Sequence, residues 1–429
     1  MPLEAGHNWP FYEPDAPSNV DVDPMTNVVR SGTLVKIVER LTHNSVNPDS
    51  NSLFGFLACY RSFSNANEVL DLLIARWSVP PPKDKSAQDT YNSVMLKPIQ
   101  LRVFNFLKTW LDRHYSDFES NPELKSKLKT FISGALHLGN EGYAKVLTNS
   151  FTKQEQAAAN PNPAPGADAP APIQLPMHIT APTLMDLSGE EFARQLTLIH
   201  HRTFSAIRSE ELLEQVYRSL DKDTKAKHVV ALQAHFHYLF TFSKNELLAA
   251  DAQNNSGAVA SKLLEIVSRL VGLRNNFAAR AIIEGIDQVL KSKPTLFDNV
   301  TVDAKNTFAE NKDALVQKSS TKVNLSPPMV LPLQPFFTEI TSSEAGIGAP
   351  LPDRRINFEK RLVVTESLVR LITYQKLQYS FHEVPAYVQY FLAHKAVNPG
   401  TSAGGGPVGS GMAPLASSSP NSSFVPRMS

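Results

Sequence analysis

An all-α protein of two helical domains is what this sequence predicts, and three observations lead there. Apolar residues recur at three- and four-residue spacing in segment after segment, the period of a helix with one buried face. No run alternates apolar and polar residues for long enough to build a sheet. A proline- and alanine-rich stretch divides the helical segments into two groups. The 429 residues allow two or three domains, and a hydrophobic content of 42% supports sizeable cores. No self-similarity at a fixed period appears, which argues against a helical solenoid.

Residues 1–30, rich in Pro, Asp and Asn, read as a flexible lead-in. A first domain follows over 31–150. Leu34, Ile37, Val38 and Leu41 share a helical stripe within Thr33–Thr42, and Phe54–Phe63 is rich in aromatics. Val69, Leu70, Leu73 and Trp77 form a second stripe, ended by Pro80-Pro81-Pro82, because proline lacks a donor and clashes with the preceding turn. Gln100–Phe118 carries a wide apolar face of Val103, Phe106, Leu107, Trp110 and Leu111. Pro122 suits the first turn of a helix over Glu123–Leu138. Residues 151–182, with prolines at 161, 163, 165, 170, 172, 176 and 182, read as a semi-extended linker. The second domain spans 183–396, with helices expected over Glu190–Arg202, Glu210–Arg218, Lys227–Ala249, Ala260–Leu273 and Asn276–Leu290. A short segment over Phe336–Glu344 and a long helix from Asn357 complete it. The Gly/Ser/Pro-rich residues 397–429 read as a disordered tail.

Composition excludes several functions. The 42 Lys+Arg nearly balance 41 Asp+Glu, for a net charge of +1, so no basic excess points to nucleic acid. No apolar run approaches the roughly 18 residues of a spanning helix, and no leader pattern opens the chain. With a single cysteine, Cys59, a cytoplasmic protein without direct membrane insertion is expected. No G-x-x-x-x-G-K-[ST] occurs, so the chain is not itself expected to hydrolyse nucleotides. His200-His201 and His235-Phe236-His237 are the histidine clusters. Residues one or two apart do not share a helix face, so neither makes a metal site, and no cofactor is expected.

What remains is a set of short words: Tyr60-Arg61-Ser62-Phe63 with Asn105–Trp110, Ala193-Arg194-Gln195-Leu196-Thr197, Asn275-Asn276-Phe277, and Ile356-Asn357-Phe358-Glu359-Lys360-Arg361. Singly, each reads as amphipathic core, a helix stop, or, for Glu359 to Arg361, solvated helix charges. In this order they resemble the Ras guanine-nucleotide exchange factor family. Residues 33–140 are similar to its N-terminal exchanger motif and 184–395 to its catalytic domain, about three quarters of the chain.

The resemblance implies an exchange factor for a Ras-like small GTPase, with no bond-making chemistry and no metal or cofactor of its own. Recruitment to the inner face of a membrane would follow from a lipid-anchored partner. It implies a protruding antiparallel helical hairpin, here about Phe336–Thr373, that inserts beside the nucleotide. Arg194 and Thr197 match family positions near the GTPase switch. Asn275 and Asn276 match words that position the hairpin or touch the switch. Thr341 and Glu344 fall at the hairpin tip, and Asn357 starts its returning arm. The tip departs from the family pattern of a large apolar residue, two adjacent glutamates and Gly-Asn-Pro, since here stand Thr341 and Glu344-Ala345-Gly346-Ile347. Lys318–Asn324 replaces a tyrosine-rich word. These departures leave a second reading open, a GTPase-binding scaffold with weakened exchange activity.

Overall fold

The computed structural model describes residues 9–26, 28–44, 50–160, 165–317, 328–346, 351 and 355–397. The tail and the Lys318–Asn324 segment lie outside them. The fold is all-α with one small sheet.

In the first domain, helices α1 (Leu34–Leu41), α2 (Ser50–Cys59), α3 (Ala66–Trp77), α4 (Lys97–Arg113), α5 (Pro122–Phe131) and α6 (Glu141–Ala159) enclose one core. The apolar face read along α4 is buried as expected, Val103, Phe106, Leu107, Trp110 and Leu111 alike. Pro122 takes the first turn of α5, where Asn121 caps the helix by accepting from the Leu124 N–H at 3.0 Å. The helix expected to run on to Leu138 is broken at Gly134, whose backbone (φ −99°, ψ −105°) is not helical. Buried Asp117 is a hub, accepting from the Tyr60 hydroxyl (2.6 Å) and Trp110 Nε1 (2.7 Å) and pairing with Arg61 at 2.7 Å.

The second domain builds a separate core from α7 (Gly189–Ser205), α8 (Lys227–Ala252), α9 (Ser256–Gly272), α10 (Asn276–Ser292), α11 (Val302–Gln317), α12 (Gln334–Ala345), α13 (Phe358–Gln375) and α14 (Pro385–Val397). Gly285 lets α8 and α10 approach closely, because a Cβ there would run into Ser243 and the Phe240 carbonyl.

Three sequence expectations need correction. A three-stranded antiparallel sheet exists, in the order β1 (Val20–Val22), β2 (Val29–Gly32), β3 (Ile356–Asn357). Strands this short carry no readable alternation. The lead-in is packed where described. Trp9 and Phe11 are buried, Trp9 Nε1 donates to the Ala75 carbonyl at 2.8 Å, and the Arg76 guanidinium lies over both rings. The linker begins later than residue 151, because α6 runs to Ala159, and its described part adheres to the second domain. The Gly166 N–H donates to Ser380 Oγ (2.7 Å), the Ile173 N–H donates to Glu191 Oε2 (3.0 Å), and Leu175 packs on the core. A proline-rich strand has no ladder of its own, so its backbone groups bond to neighbours.

The domains meet where α4, α7 and α13 end. Gln375 Nε2 donates to the Phe204 and Ile207 carbonyls (2.7 and 2.8 Å), and Lys376 Nζ donates to the Asp112 carbonyl (2.6 Å). A cavity of about 390 Å³ follows this seam, lined by Arg61, Arg113, His114, Arg208 and Lys376 among others. Converging helix C-termini attract such cations. Burial and neighbouring Arg113 bring the Lys376 amine down to about 8.

Candidate functional site: a helical hairpin and its supports

Helices α12 and α13 form the expected antiparallel pair. Arg370 lies over the Phe336 ring and pairs with Glu339, whose carboxylate also accepts from Ser367 Oγ at 2.5 Å. Their residue numbers therefore run in opposite directions along the contact. Most of the connection between the arms, from Ile347, lies outside the described residues.

The start of α13, which lies at the same end of the hairpin as the last turn of α12, is gripped by the first domain. Asn357 caps α13 by accepting from the Lys360 N–H and is paired with Ser31 in the sheet. Phe358 is buried in the first domain's core, its ring 6.2 Å from Phe56. Gly55 of α2 lies against Leu362 and Thr365, with no room for a Cβ. Arg361 donates to Ser62 Oγ and stacks on Phe63. Cys59 is buried beside it, its thiol pushed up to about 12 by burial, which makes it inert.

The tip leans on a turn of the second domain. Residues 210–218, expected to be helical, form short 3₁₀ turns with Glu214 and Gln215 in the left-handed region (φ 53° and 52°). A non-glycine residue there costs roughly 1–2 kcal/mol. The Glu214 N–H donates to Glu344 Oε1 at 2.5 Å. Tyr217 stacks on Phe337 at 4.1 Å, with its hydroxyl 3.5 Å from Thr341 Oγ1. Burial raises Glu344 above the ordinary carboxylate range, partly offset by the Glu214 amide. Beside it lies a cavity of about 260 Å³ lined by Cys59, Ser62, Leu213, Glu214, Glu344, Arg361 and Val364.

A second cluster lies inside the domain. Thr197 and Asn275 are fully buried and Asn276 nearly so. Asn275 caps α10 through the Ala278 N–H (3.1 Å), and its Nδ2 donates to Thr197 Oγ1 (3.1 Å) and His200 Nδ1 (3.3 Å). Burial holds His200 well below the usual histidine range, so it is neutral. Asn275 also pairs with Val330 in a parallel bridge, closed by bonds from Val330 N–H to the Arg274 carbonyl and from Phe277 N–H to the Val330 carbonyl. This fixes the segment that enters α12.

The sequence of the first domain matches the RasGEF N-terminal motif over residues 28–131, and that of the second matches the RasGEF domain over 191–362. The chain belongs to the Ras guanine-nucleotide exchange factor family. It is similar to the protein son of sevenless of Drosophila melanogaster, at 25% identity across 89% of this chain and 26% of the relative. It also resembles two Dictyostelium discoideum proteins. Ras guanine nucleotide exchange factor J is 28% identical, across 83% of this chain and 45% of the relative. Factor A is 26% identical, across 86% and 62%. The chain thus spans less than two thirds of each of these relatives.

The residues singled out from this family's words fall into separate groups. Thr341 and Glu344 are together near the end of α12, and Asn357 starts α13 at that same end of the hairpin. Thr197, Asn275 and Asn276 are internal, reaching the hairpin only through its entering segment. Arg194 is engaged within the domain: it pairs with Glu190 and Glu191, lies over Phe381 and donates to the Ala171 carbonyl at 3.3 Å. Of the charges at the start of α13, Glu359 and Lys360 are exposed, whereas Arg361 is held by Ser62 and Phe63 of the first domain. Sequence reasoning missed Tyr217 and the 214–215 turn. No glycine or asparagine stands there to announce a left-handed backbone.

Proposed function

We infer that the chain acts as an exchange factor that promotes guanine-nucleotide release from a Ras-like small GTPase, and that the α12–α13 hairpin is the element that does so. The observation behind this reading is the antiparallel pair whose returning arm is packed on the first domain and whose α12 ends with Ala345 and Gly346 exposed. Such a pair can wedge into another protein's pocket without collapsing. The energetics are those of linkage: exchanger and nucleotide each weaken the other's binding to the GTPase by the same factor. No bond is made or broken, and no cofactor is invoked. Glu344 and Thr341 would face the nucleotide pocket. Arg194 would serve the switch surface from the rim of α7, and Thr197, Asn275 and Asn276 would hold that surface and the hairpin in register. The encounter is proposed to take place in the cytoplasm, at the inner face of a membrane when the partner is lipid-anchored.

Ala345, at an end where the family carries a second carboxylate, favours the scaffold as a second reading: binding kept, exchange weakened. The deciding experiment loads a panel of Ras-like GTPases with a fluorescent nucleotide and follows its release on adding the full chain. Accelerated release from any member supports exchange. A complex without acceleration supports the scaffold, and absence of both overturns the two readings together.

A further inference from the structure

We propose that the Glu214–Gln215 turn is a positioning element of the exchange site, one that aims a backbone amide at Glu344 and so sets where the tip carboxylate stands when a GTPase arrives. This rests on the exchange reading above. Two consecutive non-glycine residues in the left-handed region persist only where their surroundings over-determine them. Here both flanks are anchored. Upstream, the Glu211 carboxylate accepts from the His228 and Val229 N–H groups (2.9 and 3.1 Å) at the start of α8. Downstream, Tyr217 is buried against Phe337. Between these anchors the Glu214 N–H points at Glu344.

Glu344 is the only carboxylate in the last turn of α12, since Glu339 is committed to Ser367 and Arg370. A competing partner lines the same cavity. Arg361 has a buried Nε–H that finds no acceptor among the described residues, and it makes no ion pair with Glu344 within 4.0 Å. The strained turn therefore holds the Glu344 carboxylate away from the Arg361 guanidinium. A turn with ordinary backbone angles would aim its amide elsewhere and release Glu344 across the cavity.

The test compares Gln215→Gly with Gln215→Val. Both lose the Gln215 side chain and its bond to Arg218, so their difference isolates the backbone. Glycine accepts a positive φ, and a β-branched residue resists it. Gln215→Val is expected to accelerate nucleotide release about tenfold less than Gln215→Gly, the cost of one disfavoured left-handed residue. Affinity for the nucleotide-free GTPase should differ less than the rate does. Equal rates from two folded variants overturn the proposal. A second measurement needs no activity and no altered turn: amide hydrogen exchange over 213–216 in the wild-type chain and in Glu344→Ala. Protection at Glu214 should be lost in Glu344→Ala, and unchanged protection overturns the positioning role. If the wild-type chain releases no nucleotide, the exchange reading fails, while the hydrogen-exchange comparison still decides whether Glu344 holds the turn's amide.

Discussion

The two arms of the hairpin are held by different materials. On the returning arm, rings and close backbone packing hold α13: Phe358 sits inside a neighbouring domain's core, and Gly55 lets α2 lie against Leu362. At the tip, one amide, one stacked ring and a strained turn hold α12. Apolar burial is non-directional and hard to undo, whereas a single hydrogen bond nets about 1 kcal/mol. The contrast gives one arm that is fixed by packing and one whose end can adjust where a partner is met.

Breaking the grip on α13 is expected to give the largest effect. Phe358→Ala removes a fully buried ring between the domains, at a cost of about 3–5 kcal/mol. A fall of that size in unfolding free energy, read by denaturant titration, should accompany loss of nucleotide release. Release kept at the wild-type rate in a destabilised variant would mean that the packing of Phe358 does not brace the hairpin. Asn275→Ala comes next. It removes the cap of α10 and the donor to Thr197 and His200, together about 2 kcal/mol. Asn275→Ser keeps a capping oxygen without burying a charge and should recover about half of that. Equal losses from the two would show that the cap is not what matters.

The same contrast separates what is legible in the sequence from what is not. The apolar stripes of α3 and α4 and the Asn121–Pro122 start of α5 follow from local periodicity and capping chemistry, and the structure has them. The hairpin arms are legible from the word that starts α13 and the segment before it. The sheet is not, because Ile356–Asn357 pairs with residues more than three hundred positions earlier and is too short to alternate. Trp9 and Phe11 look like isolated apolar residues in a polar lead-in, and only Arg76 and Ala75, distant in sequence, explain their burial. Polar residues such as Thr197 and Asn275 usually face outward. Their mutual hydrogen bonds permit the opposite. The strained turn is the least legible of all, being imposed by its two anchors.

The interior cluster also sharpens the comparison through pH. His200 is buried and neutral in the folded chain, with its pKa below the ordinary 6.5. Protonation therefore favours the unfolded chain. The stabilising contribution is whole above pH 6.5 and is lost as pH falls from there toward the folded value. The slope approaches about 1.4 kcal/mol per pH unit for this one proton. Unfolding free energies at pH 7.5 and 5.5 should show the decline, and His200→Asn should flatten it. An unaltered slope in the variant would assign the pH dependence to other groups, the half-buried His114 at the domain seam first among them, which desolvation brings down to about 4.

The smallest effect on stability is expected at the tip. Glu344→Gln keeps an oxygen that can accept from the Glu214 N–H, so the geometry survives while the charge goes. Only the charge-assisted part of one half-buried hydrogen bond is lost, about 0.5–1 kcal/mol of stability. If the tip acts through its negative charge beside a phosphate-binding site, nucleotide release should slow several-fold although the fold is almost undisturbed. If it acts only as a wedge of fixed shape, Glu344→Gln should release nucleotide as the wild type does while Tyr217→Ala, which removes the ring beneath Phe337, slows release. The two substitutions assign the tip's contribution to charge or to shape, and the stability change of Glu344→Gln should stay far below that of Phe358→Ala. A Glu344→Gln chain as destabilised as Phe358→Ala would erase the contrast between the two arms.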